Sequence, residues 1–263
     1  MNDSRVAAAS LRPDTSQSEI LKHPISSVPK SVVSLLGWMR LQGDEMIEEA
    51  VTFKTSRGLK LSGALLAPDE TLHDVVIFAH GTGSNKASPR NRGIAEQLLD
   101  AGIASFLFDF TGHGESDGLP EQSTQDQQFD DLESALDFIN LQTFFQTRFI
   151  GVNGSSTGGT VAIRAAAEDE RIGVMVLRVP RNIEILPLVP MVKAPTLVLQ
   201  GSEDKIVLPE AIEIYEALTC PKELHIVQGA GHLFDDTPAY FQEMTDVTCA
   251  WFERWFAELA EEE

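Results

Sequence analysis

Ile150-Gly151-Val152-Asn153-Gly154-Ser155-Ser156-Thr157-Gly158-Gly159-Thr160-Val161-Ala162-Ile163 is the stretch on which the reading of this chain turns. A short apolar strand runs into Gly-Ser-Ser-Thr-Gly and then into a helix of small residues, the context in which a G-x-S-x-G string raises one serine on a sharp turn. Such a turn forces its apical residue, here Ser156, into a strained backbone, and Gly154 and Gly158 keep Cβ atoms out of the crossing. Ser156 also opens a helix, where unpaired backbone N–H groups and the helix dipole favour a developing negative charge. The string by itself fits a Gly/Ser-rich loop holding a phosphate equally well, so the rest of the chain has to decide.

The chain has 263 residues, 43% of them hydrophobic, which suits one large α/β domain with a full core. Its 40 acidic against 20 basic residues leave a formal charge of −20, a field that repels nucleic acid and anionic membranes. Cys220 and Cys249 have neither metal-type nor redox-type spacing and fit a reducing compartment. No run approaches a membrane span, and the first ten residues lack the apolar core of a signal peptide, so a cytoplasmic protein is expected.

Residues 1–28, rich in Ser, Pro, Asp and Gln without periodicity, read as a flexible leader. Residues 29–45 read as a short apolar helix through Val32, Leu36 and Trp38. Packing on the domain is the plainer role for that helix, with a partial lid or a homodimer contact as the alternatives. Over 46–263 the pattern alternates strand and helix. A hairpin over Glu49–Thr55 and Leu59–Leu66 opens it, and strands at Val75–Ala79, Ile103–Phe108, Phe149–Val152, Val174–Val179, Thr196–Leu199 and Glu223–Val227 follow. The fold class is therefore α/β: a mostly parallel eight-stranded sheet with helices on both faces and its site at the carboxyl ends of the strands.

A serine hydroxyl needs a base, and the base needs a carboxylate to hold its tautomer. Of the six histidines, His23 lies in the leader, His73 precedes a strand and His225 lies inside one. His232 follows the last strand in a Gly-bracketed loop and is the expected base. The acid belongs between Ser156 and His232, where Asp204 follows a buried strand, with Glu203 and Glu184 as rivals. In the loop His80-Gly81-Thr82-Gly83-Ser84-Asn85-Lys86, the Thr82 N–H is the expected partner of the Thr157 N–H in an oxyanion hole, and His80 is expected to fix the loop. In Asp109-Phe110-Thr111-Gly112-His113-Gly114-Glu115-Ser116-Asp117-Gly118, a metal site is set aside because no second cluster completes a shell. His113 is expected to line the substrate site.

With these residues in place, the chain resembles the α/β-hydrolase superfamily from about Met46 onward. The stretches Phe108–Gly118 and His225–His232 resemble cinnamoyl and feruloyl esterases, while His80–Lys86 and Ser156-Thr157-Gly158 are similar to dienelactone-hydrolase-like proteins. The resemblance implies ester hydrolysis through an acyl-enzyme on Ser156, with His232 and Asp204 completing a triad and no cofactor. Ser155 and Thr157 depart from the family's usual His or Trp before the serine and Gln or Met after it. The short Pro180–Ala194 connection leaves no room for the esterase branch's lid insertion. A small or soluble acyl substrate is expected, with acyl transfer or peptide cleavage by the same triad as alternatives. A non-catalytic binding protein on the same scaffold is the alternative from another class.

Overall fold

The computed structural model describes residues 46–262. The leader expected over 1–28 and the apolar helix expected over 29–45 lie outside the described residues, as does Glu263.

Eight strands form one sheet: β1 (Ile47–Lys54), β2 (Lys60–Ala67), β3 (Leu72–Ala79), β4 (Ala104–Phe108), β5 (Gln146–Ser155), β6 (Ile172–Arg178), β7 (Thr196–Gly201) and β8 (Lys222–Val227). Their order is β1-β2-β4-β3-β5-β6-β7-β8. β2 pairs antiparallel with β1 and with β4, and every later pairing is parallel. The central strands are near-continuous apolar runs because both of their faces are covered; β4 and β7 have no exposed residue at all. β1 alternates buried and open positions at the sheet's edge.

Five α-helices supply the cover: α1 (Pro89–Asp100), α2 (Gln125–Leu141), α3 (Thr157–Glu168), α4 (Leu208–Ala217) and α5 (Pro238–Glu262). Leu132, Leu136, Val161 and Ile214 place α2, α3 and α4 on one face with Val152 and Leu177. Ile94, Leu98, Phe252 and Phe256 place α1 and α5 on the other with Val76 and Val176. Local signals set the helix starts. Pro89 occupies the first turn of α1, where a missing N–H costs nothing, and the Thr124 hydroxyl accepts from the Gln127 N–H to cap α2.

The sheet, the strand count and the two-faced cover agree with the sequence expectation. One placement differs: His73 lies inside β3 rather than before it. Its imidazole joins Asp69 at 3.0 Å and the Gly102 carbonyl at 3.2 Å, so side-chain and loop bonds extend a strand whose apolar pattern starts only at Val75. Between β6 and β7 the chain makes a single 3-10 turn, Val189–Met191. No helix among the described residues is long and apolar enough to cross a membrane.

Candidate active site

Ser156 stands between the end of β5, the centre of the sheet, and the first turn of α3. Its backbone has φ 53° and ψ −119°, a conformation that L-residues avoid and that persists only when its surroundings enforce it. They do so through hydrogen bonds: the Ser156 N–H donates to the Arg178 carbonyl at 2.9 Å, and the Gly159 N–H returns to the Ser156 carbonyl at 3.0 Å. The two glycines of the motif answer to close approach. A Cβ on Gly154 would stand 2.8 Å from Ala162 Cβ, and one on Gly158 would collide with the carbonyl oxygen of Ala79 at the end of β3.

Asp204 follows β7, is 9% exposed, and its Oδ1 accepts from the Val207 N–H. Its Oδ2 lies 2.5 Å from Nδ1 of His232 and takes a second bond from Gln200 Nε2 at 3.2 Å. An Nδ1–H donated to a carboxylate leaves Nε2 with the lone pair, the tautomer a base requires. Of the rival carboxylates, Glu203 pairs with Lys205 at the surface and Glu184 lines a separate cavity with Gln125 and Arg164. His232 and Ser156 line one cavity of about 120 Å³ together with Gly81, Thr82, Ser155 and Arg178. No hydrogen bond joins the serine hydroxyl to the imidazole among the described residues.

The loops that follow β3 and β4 are tied together behind the serine. Asp109, fully buried, accepts from the Lys86 N–H, from Lys86 Nζ at 2.7 Å and from the Glu115 N–H at 2.9 Å. The carboxylate that invited a metal reading thus neutralises a lysine. His80 bridges the same loops, with Nδ1 2.9 Å from the Gly81 carbonyl and Nε2 accepting from the Phe110 N–H at 3.1 Å. His113 does not line the cavity at Ser156, contrary to expectation. It packs edge-on against His80 with ring centroids 5.1 Å apart and bonds the Thr111 carbonyl, because the glycines beside it turn the chain back onto β4's own loop.

Thr82 and Thr157 do come together, in a way the sequence does not signal. The Thr82 N–H donates to Thr157 Oγ1 at 3.0 Å, and the two hydroxyl oxygens are 3.0 Å apart. The N–H expected to meet an oxyanion is therefore satisfied by a side chain. Arg178 is a second feature that sequence reading misses. An arginine closing an apolar strand reads as a surface residue, whereas this one is 3% exposed and faces the cavity.

His80 also gives the site a pH dependence. Burial is the main cause that pulls its pKa from 6.5 to about 4, and His113 pushes the same way. The folded state therefore holds the ring neutral while the unfolded chain takes up a proton below about pH 6.5. Stability from this group is complete above that pH and is lost as pH falls toward 4, by roughly 3 kcal/mol in all. Glu133, whose pKa burial raises to about 7, works in the opposite direction over the same range, so the test is a difference. In urea unfolding from pH 7 to 4, His80→Gln is expected to lose less stability, or gain more, than the wild type, and parallel profiles would assign the acid sensitivity elsewhere.

The chain has clear counterparts among known proteins. The sequence profile of the alpha/beta hydrolase fold matches residues 74–192. A dienelactone hydrolase from Anabaena variabilis is 32% identical, with a TM-score of 0.72 over 80% of this chain and 99% of that one. Est1E of Butyrivibrio proteoclasticus, solved with ferulic acid bound, is 19% identical with a TM-score of 0.72 over 79% of this chain and the whole of the other, a likeness of fold. A putative phosphoribosyl transferase from Mycobacterium tuberculosis is 32% identical over 201 residues, 73% of this chain. The match spans only 43% of that relative's own length, and the same share of a thiohydrolase from Aspergillus aculeatus that is 33% identical.

Proposed function

Because this chain belongs to the α/β-hydrolase fold family, we propose that it is a serine hydrolase that cleaves carboxylic esters of small or soluble acyl groups through an acyl-enzyme on Ser156. The observation that carries this reading is the 2.5 Å contact of Asp204 with His232, on the cavity that the strained Ser156 also lines. Likeness to a dienelactone hydrolase over nearly that protein's whole length supports an ester bond as the target.

His232 Nε2 takes the Ser156 proton as the hydroxyl oxygen attacks the substrate carbonyl, and Asp204 steadies the imidazolium that forms. Charge on the carbonyl oxygen is met by the Thr157 N–H at the head of α3 and by the Thr82 N–H once Thr157 has rotated. His232 then returns the proton to the departing alcohol, and water repeats the cycle on the acyl-enzyme. The free thiols of Cys220 and Cys249 fit a reducing compartment such as the cytoplasm.

A fluorophosphonate probe tests this directly. Labelling should be stoichiometric, map by peptide mass to the segment containing Ser156, and block hydrolysis of p-nitrophenyl butyrate in step. A protein that neither labels nor turns over short esters would return the reading to a scaffold used for binding.

A further inference from the structure

Arg178 ends β6 and stands opposite Ser155 in the register of β5 and β6. Its Nη2 donates to Asn91 Oδ1 at 2.7 Å and its Nη1 approaches Met244 Sδ at 3.5 Å. Those contacts use two of the five N–H donors of a guanidinium, and no carboxylate pairs with it among the described residues. A buried cation without a counter-ion is among the costliest placements in a protein interior. The neighbouring charge makes it worse. Burial first, and then Arg90, pull the Arg178 pKa down to about 9, which still leaves it charged at neutral pH.

Arg90, on α1, lines the same cavity as Arg178 and Ser156, and its ion-pair partner Asp235 is a surface carboxylate 3.6 Å away. The remaining wall includes Ser84, Ser88 and Asn91, all polar. Val179, next along the chain and also on this wall, has φ 46°, a conformation that a β-branched residue adopts only under constraint. In a chain of net charge −20, two arginines therefore converge on one small cavity beside the nucleophile. Its volume of about 120 Å³ is room for a small charged headgroup.

We infer that Arg178, seconded by Arg90, is the receptor for an oxyanion carried by the substrate, a carboxylate or a phosphate close to the carbonyl that Ser156 attacks. The anion supplies the missing counter-charge and takes up the idle guanidinium donors. Ser155, opposite Arg178 in the register of β5 and β6, lines the same cavity. This assignment deepens the esterase reading as to substrate class, but binding of the anion does not depend on that reading.

The binding arm uses Ser156→Ala protein, melted at constant ionic strength in sodium chloride, succinate or inorganic phosphate. Succinate or phosphate should raise Tm above chloride, and the one that does so identifies the anion. The rise should vanish in Ser156→Ala/Arg178→Met and shrink in Ser156→Ala carrying Arg90→Gln, a helix-surface change that keeps the fold. Arg178→Met should itself melt no lower than its parent, since removal of an unpaired buried charge is neutral or stabilising. No anion-specific rise, or an equal rise in the Arg178→Met protein, would overturn the assignment. In the substrate arm, the wild type should favour the p-nitrophenyl half-ester of succinate, or a glycerophosphate ester if phosphate is the anion bound, over a neutral ester of similar size. The ratio of kcat/KM should be about tenfold to a hundredfold, and Arg178→Met should remove most of it. Anion binding without turnover of any ester would leave the subsite standing and sink the serine-hydrolase reading instead.

Discussion

Ser156→Ala is expected to lower kcat/KM on short p-nitrophenyl esters by four to six orders of magnitude, on the order found when a triad nucleophile is removed. In the mechanism we propose, the substitution deletes the oxygen that forms the acyl bond, and neither neighbouring hydroxyl is placed to replace it. Ser155 is the adjacent hydroxyl, but it precedes the turn, in the last position of β5 and in register with Arg178. Thr157 Oγ1 is engaged with Thr82. Alanine carries the same Cβ as serine, so the cost of φ 53° is unchanged and the thermal melt should stay within a degree or two of the wild type. Steady-state kinetics and a melting curve on one preparation check both halves. Activity within tenfold of the wild type in a folded variant would remove Ser156 from the chemistry.

Asp204→Asn is expected to cost about four orders of magnitude in kcat while the fold is kept. The amide is the same size as the carboxylate, but it presents a donor or a weaker acceptor to His232 Nδ1. It thereby stops favouring the tautomer that leaves Nε2 free, and it no longer offsets the imidazolium. Asp204 is nearly buried and bonded by Gln200 as well as His232, so water cannot readily take over its role. Glu203 cannot substitute from the surface, where it meets Lys205 at 3.3 Å. Fluorophosphonate labelling of Ser156 should slow in parallel, because it draws on the same base. A fall of less than tenfold in kcat would mean that another carboxylate orients the histidine.

Much of this was legible from residue order. Alternation of apolar strands with amphipathic helices is a local property, and each of the eight strands among the described residues corresponds to a segment the pattern marks. The boundaries shifted where long-range bonds extend a strand beyond its apolar core, as at His73 in β3 and at Gln146, which pairs with Leu72. His80 as the tie between two loops was also legible, since it opens a Gly-rich turn at a strand end. His113 was not, because a histidine in a glycine-rich loop can turn either way, and contact with His80 settles which.

Chain order alone therefore determined the α/β alternation, the turn at Ser156 and the small set of residues from which its partners had to come. Those follow from near-neighbour sterics and from which residue types can do the chemistry. Only the tertiary structure paired Asp204 rather than Glu203 with His232, sent His113 to His80, closed Thr157 over the Thr82 N–H and buried Arg178 beside Ser156 without a counter-charge among the described residues. Each of these depends on which strand lies next to which and on what is left facing a shared cavity. Such distances join residues far apart in the chain, and no local pattern encodes them.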